Sequence, residues 1–194
     1  VFGIMTFTAV TGSIIFNFTT NGNGELLRER VKGAVQDPAE LAMMLFVIFS
    51  LASLAQLVVG KLIDRYPLKN IYLPIVLLQV PLFLIASQVT DWALFVTAIL
   101  FMLLVFGAIP FTDAMIVRYI DDRMRSRVTG VRLAIGFGVS SIVVALIGPA
   151  VKDAGFPILL MVLAGVAFSS FLALSLLPSE RDVHKASSSL KPAE

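Results

Sequence analysis

Long uncharged stretches alternate with short charged ones along the chain. Six runs hold no charged residue: 1–24, 41–60, 70–90, 92–112, 133–151 and 154–179. A helix of about 20 apolar residues rises ~30 Å, the thickness of a bilayer's hydrocarbon core. Each run meets that length or falls one residue short of it. Lipid offers no water to backbone N–H and C=O groups, so a spanning segment satisfies them internally as a helix. Alternation at period two, the mark of a membrane β-barrel, is absent from stretches such as Ile99–Leu104. The pattern predicts an all-α membrane protein, a bundle of six transmembrane helices. They fall at about 1–20, 38–60, 70–89, 91–119, 127–151 and 156–177, within a domain over 1–178. The polar, serine-rich segment 179–194 is expected to be a disordered cytoplasmic tail.

Punctuation supports these bounds. Asp37-Pro38 reads as an N-cap followed by proline at the first helical position. Thr90-Asp91 opens the fourth helix, Gly155-Phe156-Pro157 the sixth, and Pro178 closes it. Pro74, Pro81 and Pro110 fall inside helices and should kink them. Asn21-Gly22-Asn23-Gly24 reads as a turn. Beyond it, Leu26, Leu27, Val31 and Ala34 alternate with charges at helical spacing. They suggest a short amphipathic helix on the outer leaflet, either a connector or an extracellular gate. The sequence opens at Val1, without methionine and inside an apolar run, as expected of a fragment or a processed chain.

Composition agrees: 58% of residues are hydrophobic and 14% charged, about half the charged share of a soluble domain. Placement of charge matters more than the net +2. Lys61, Arg65 and Lys69, the cluster from Arg118 to Arg132, and Arg181, Lys185 and Lys191 fall on one side. Only Arg28, Arg30, Lys32 and Lys152 fall on the other. The rich side is expected to face the cytoplasm, placing both termini there in an inner membrane. Tyr66, Tyr72 and Tyr119 sit at the inner ends and Trp92 at the outer boundary, as an aromatic belt would.

Enzyme chemistry finds no machinery. The sole histidine is His184, in the tail, so no imidazole is available in the membrane for a nucleophile, a haem or a zinc site. Without cysteine there is no thiolate metal site. No catalytic residue, cofactor, metal or nucleic-acid partner is expected.

Polar residues within helices are the candidates for function. Gly3, Thr6, Val10, Ser13, Asn17 and Thr20 share one face of the first helix at spacings of three and four. Ser50, Ser53, Gln56 and Gly60 do the same on the second, and Thr129, Arg132, Gly136 and Ser140 on the fifth. Single hydroxyls often bond only their own helix; Asn17 and Gln56 are the more telling positions. Asp113 admits two readings. An acid at a membrane centre costs ~2.5–3.5 kcal/mol and so suggests proton or substrate coupling. Yet about 20 residues separate Trp92 from Phe111, which places Asp113 near the inner headgroups as an ion-pair partner of Arg118.

The segment Gly60-Lys61-Leu62-Ile63-Asp64-Arg65-Tyr66-Pro67-Leu68-Lys69 resembles the cytoplasmic loop signature of the major facilitator superfamily. Gly60, Leu62, Asp64, Arg65 and Lys69 match in register. Pro67 replaces a glycine and Leu68 a basic residue, the degenerate form of the second half of such transporters. Arg125-Ser126-Arg127-Val128-Thr129-Gly130, followed by Gly136, Gly138 and Gly148-Pro149, is similar to the family's fifth helix. There Ala134, Gly138, Ser141, Ala145 and Gly148 form a stripe of small residues suited to close packing. The resemblance implies the C-terminal six-helix half of a secondary transporter moving a small solute by alternating access. It implies that the first, second, fourth and fifth helices line a cavity, making Thr6, Ser13, Asn17, Ser53, Gln56, Arg132 and Ser140 its candidate lining. Gly60, Asp64, Arg65 and Lys69 become the gating loop, and Asp113 and Arg118 candidate coupling residues. The implied partner is a missing N-terminal half or a second copy of the chain, without which no transport is expected. Sugar-porter signatures are absent, which favours efflux. The rival reading is a six-helix membrane scaffold or accessory subunit.

Overall fold

The structure, a computed structural model, describes residues 2–31, 37–120 and 122–177. The expected tail at 179–194 lies outside the described residues. Among those described there are helices and no strand: α1 (Phe2–Arg30), α2 (Pro38–Arg65), α3 (Leu68–Gln88), α4 (Asp91–Gly107), α5 (Ile109–Tyr119) and α6 (Asp122–Ser175). By length and hydropathy, four stretches of them can cross a membrane: Pro38–Arg65, Leu68–Gln88, Asp91–Arg118 and Arg123–Ser175.

Two apolar clusters lie at opposite ends of the bundle. One joins Val31, Met44, Phe83, Leu94 and Phe156; the other joins Met5, Ile63, Leu68, Met115 and Leu177. α1, α2, α3 and the pair α4–α5 each start in one cluster and finish in the other, so these four segments alternate in direction. In α6, Val128 and Leu174 both pack at the Leu68 end while Phe156 sits at the Val31 end. The helix must therefore fold back between them. Gly155 does this alone, with φ 77° and ψ 160°, a backbone region essentially closed to residues with a Cβ. The expected boundary between the last two helices is thus a single residue, dividing α6 into arms 122–154 and 156–175.

The first helix departs from expectation. No turn forms at Asn21–Gly24; α1 continues to Arg30, and Leu26, Leu27 and Val31 are fully buried in the core. The amphipathic face was legible, but it turns toward protein and not toward the outer leaflet. Two glycines cost a helix about 1 kcal/mol each. Asn23, whose buried amide has no partner among the described residues, costs about 1–3 more. Three large apolar side chains return about 1.5–3 kcal/mol apiece on burial, so burial overrides the turn signal.

Part of the punctuation acts as read, though Thr90 precedes α4 without a side-chain cap bond and donates to Asp91 Oδ2 instead. Asp37 Oδ1 accepts from the Ala39 N–H at 3.0 Å, with Pro38 at the first helical position. Pro110, lacking an N–H, breaks the long fourth segment at Ala108 into α4 and α5. Pro74 and Pro81 lie inside α3, which runs on through both. The expected nine-residue loop between Gly60 and Asn70 shrinks to Tyr66 and Pro67, since α2 continues to Arg65 and α3 begins at Leu68.

Basic side chains close the open helix ends. The last carbonyls of a helix lack intrahelical donors and carry partial negative charge. Arg30 Nη1 donates to Ala86 O (3.0 Å) and Ser87 O (3.2 Å) at the end of α3. Lys69 Nζ donates to Ser175 O (2.7 Å) and Leu177 O (2.5 Å) at the end of α6. Arg118 donates to Ile63 O near the end of α2, and Arg125 Nη2 to Val117 O (3.0 Å) near the end of α5.

Candidate functional site

A cleft of about 460 Å³ lies between α1, α5 and the first arm of α6, with Tyr72 of α3 and Val105 of α4 at its floor. Its walls follow from helical spacing. Thr6, Val10, Ser13 and Asn17 line it from α1, and Arg132, Gly136 and Ser140, four residues apart, line it from α6. Asn17 ties the walls together: its Nδ2 donates to Ser140 Oγ at 2.7 Å and to Ser13 O in its own helix at 2.8 Å. Gly136 lies close to Ser13, whose Oγ would stand 3.7 Å from an added Cβ.

At the edge of the cleft Arg132 Nη1 meets Asp113 Oδ1 at 2.7 Å, the arginine side chain 24% and the aspartate 69% exposed. The expected pairing of Asp113 with Arg118 does not form. Five residues along a helix rotate a side chain by about 140°, off the shared face, and Arg118 turns instead to Ile63 O. The partner comes from the next helix.

Thr6, Ser13, Asn17, Arg132 and Ser140 thus come together, whereas Ser53 and Gln56 do not join them. Both sit on α2 away from this cleft; Ser53 is exposed and donates to Phe49 O. At Gly60 of the loop signature an added Cβ would meet nothing within 4 Å, so no neighbouring element packs against it there. Asp64 and Arg65 are exposed in the last turn of α2, and Lys69 caps α6. Tyr72 is no belt residue: it is buried and stacked on Phe111, ring centroids 4.7 Å apart. Tyr66 and Trp92 are exposed at helix ends as expected.

Sequence reasoning missed Thr112, Phe16 and Tyr72, which also line the cleft. Thr112 stands beside the flagged Asp113, and Phe16 beside Asn17, but neither breaks the apolar pattern enough to stand out. It also missed the buried bond from Thr11 Oγ1 to Ser170 Oγ, 3.1 Å, which ties α1 to the second arm of α6. No group of three or more His, Cys, Asp or Glu side chains that could hold a metal occurs among the described residues.

The family model described as Major Facilitator Superfamily matches residues 2–194. The chain belongs to the major facilitator superfamily. A comparison with curated proteins gives no match. Members of this superfamily are transporters and not enzymes, and the apolar helices make this one a multi-pass membrane protein.

Proposed function

We propose that this superfamily member is one six-helix half of a secondary transporter, moving a small solute across the inner membrane through the cleft. The half corresponds to the C-terminal one. Six crossings follow if α1 spans, the pair α4–α5 spans once, and the arms of α6 span separately. Lys69, Arg118 and Arg125 then face the cytoplasm with both termini, by the excess of basic residues on that side. Transporters of this kind bind at the interface of two repeats that rock about a central site.

The observation that carries the reading is the incomplete wall. The first arm of α6 borders the cleft yet contains no buried residue among those described. Its small residues Ala134, Gly138, Ser141, Ala145 and Gly148 are all exposed, and an added Cβ at Gly138 or Gly148 would meet nothing within 4 Å. On α2, Ser53, Leu54 and Leu57 are likewise exposed. Faces of small and hydroxyl residues suit close helix contact in lipid. A second six-helix half, or less favourably a second copy of this chain, completes the cavity. Efflux coupled to protons through Asp113 is the direction and mechanism the reading favours. Asp113→Asn should then abolish coupled flux at normal membrane levels.

The test is a water-accessible path. In a background without native cysteine, Asn17→Cys and Ser140→Cys should react with a membrane-impermeant maleimide, and co-expression with a partner half should give solute flux in vesicles. Unreactive cysteines would favour the rival reading, a scaffold without transport. Robust flux from the chain alone would remove the need for a partner.

A further inference from the structure

One charged side chain lines the cleft. Around Arg132 the lining consists of hydroxyls, the Asn17 amide and apolar groups. Its partner Asp113 is not part of that lining and is mostly exposed. A guanidinium carries five N–H donors in a planar fork suited to two carboxylate oxygens at once. Here it makes one contact, Nη1 to a single Asp113 oxygen, and no other among the described residues. Nη1 is itself sealed from solvent and its approach to Asp113 lacks hydrogen-bond geometry, so the contact is an ion pair alone and most of the fork goes unused. The volume, about 460 Å³, falls in the range that encloses a small organic molecule.

Resting on the reading of the cleft as the solute path, we propose that its ligand is an amphipathic organic anion. Its carboxylate takes the guanidinium of Arg132 in place of Asp113, and its apolar body lies along Val10, Phe16 and Ile135. A cationic solute meets the wrong charge here, since no acid is among the described lining residues and Asp113 at the edge is mostly exposed and already paired. Asp113 then acts as a competitor that holds Arg132 when the site is empty. Removing the arginine and removing the aspartate should therefore act in opposite directions, which a purely structural ion pair would not do.

The test uses three probes of one shape, 2-naphthoate, 2-naphthamide and 2-naphthylmethylammonium, in equilibrium binding to the full chain in lipid nanodiscs. Naphthoate should bind at least tenfold more tightly than the amide, and the ammonium most weakly. Arg132→Gln should erase the preference, Arg132→Lys should keep part of it, and Asp113→Asn should strengthen naphthoate binding severalfold. Unchanged helicity by circular dichroism certifies the fold of each variant. Equal binding of acid and amide, preference for the ammonium, weaker naphthoate binding in Asp113→Asn, or no saturable binding of any probe overturns the proposal. Maleimide labelling of Ser140→Cys separates the two levels. A labelled cleft without anion preference sinks the anion assignment alone, while an unlabelled one sinks the solute path and this proposal with it.

Discussion

Replacing Gly155 with alanine isolates the turn that folds α6 back on itself. The residue holds φ 77° and ψ 160°, where a Cβ collides with its own backbone, at a cost of about 1–3 kcal/mol. Space is not the difficulty, because the new methyl would stand 3.7 Å from Pro157 Cδ, an ordinary contact. The whole effect is thus local strain, on the order of a 5- to 150-fold fall in the folded-to-unfolded ratio. Gly138→Ala is the matched control. That glycine lies in a regular helix with open space around it, so alanine should be neutral or more stable by up to about 1 kcal/mol. Unfolding each variant with increasing mole fractions of dodecyl sulfate, read by far-ultraviolet circular dichroism, gives both numbers under one condition. If Gly155→Ala unfolds with the wild-type midpoint, the reversal between the arms does not depend on a left-handed residue.

Three further expectations follow from other contacts. Arg30→Leu leaves the Ala86 and Ser87 carbonyls without their charged donor and should destabilise the chain by about 1–3 kcal/mol in the same titration; no loss would mean water caps α3 equally well. A double-mutant cycle of Asn17→Ala and Ser140→Ala should return a coupling near ~0.6 kcal/mol, with ~1.7 as a ceiling, the range found for hydrogen bonds between membrane helices; strict additivity would say the 2.7 Å bond contributes nothing. For topology, a reporter active only in the cytoplasm should work after Lys69 and fail after Lys152, and the reverse pattern would invert the proposed orientation.

Much of the helical architecture was legible because lipid-scale apolar blocks leave little choice of secondary structure. Asp37-Pro38 and Gly155 mark their boundaries by chemistry that is local, and local chemistry can be read from sequence. The errors came where tertiary packing outvoted it. Asn21–Gly24 carries a strong turn signal, yet the following Leu26 and Leu27 bury completely only if the helix continues. The polar faces of α1 and α6 were readable as faces, and five of the seven candidate lining residues meet at the cleft. Ser53 and Gln56 obey the same spacing on α2 but belong to another surface, which periodicity cannot distinguish. Asp113 was recognised as unusual, but its partner lay 19 positions along the chain, past the end of α5 and within the next helix.

The first arm of α6 has a bearing on how this protein tolerates change. No described side chain of this arm is fully buried by its own chain, so apart from Ser140, Arg132 and the core-packed Val128, Val143, Ile147 and Val151, substitutions along it are nearly silent when the chain is studied by itself. Their cost is registered elsewhere, in whatever surface is laid against Ala134, Gly138 and Ala145. A mutational scan should therefore split into two maps. One, read from the isolated chain, would mark Phe83, Phe101 and Phe156 as intolerant and leave the arm's exposed positions blank. The other, read from function in the cell, would fill that blank with a period of three to four residues. With the proposed partner laid against this helix, selection on it acts through that neighbour, and its sequence should drift only as fast as the neighbour's surface allows.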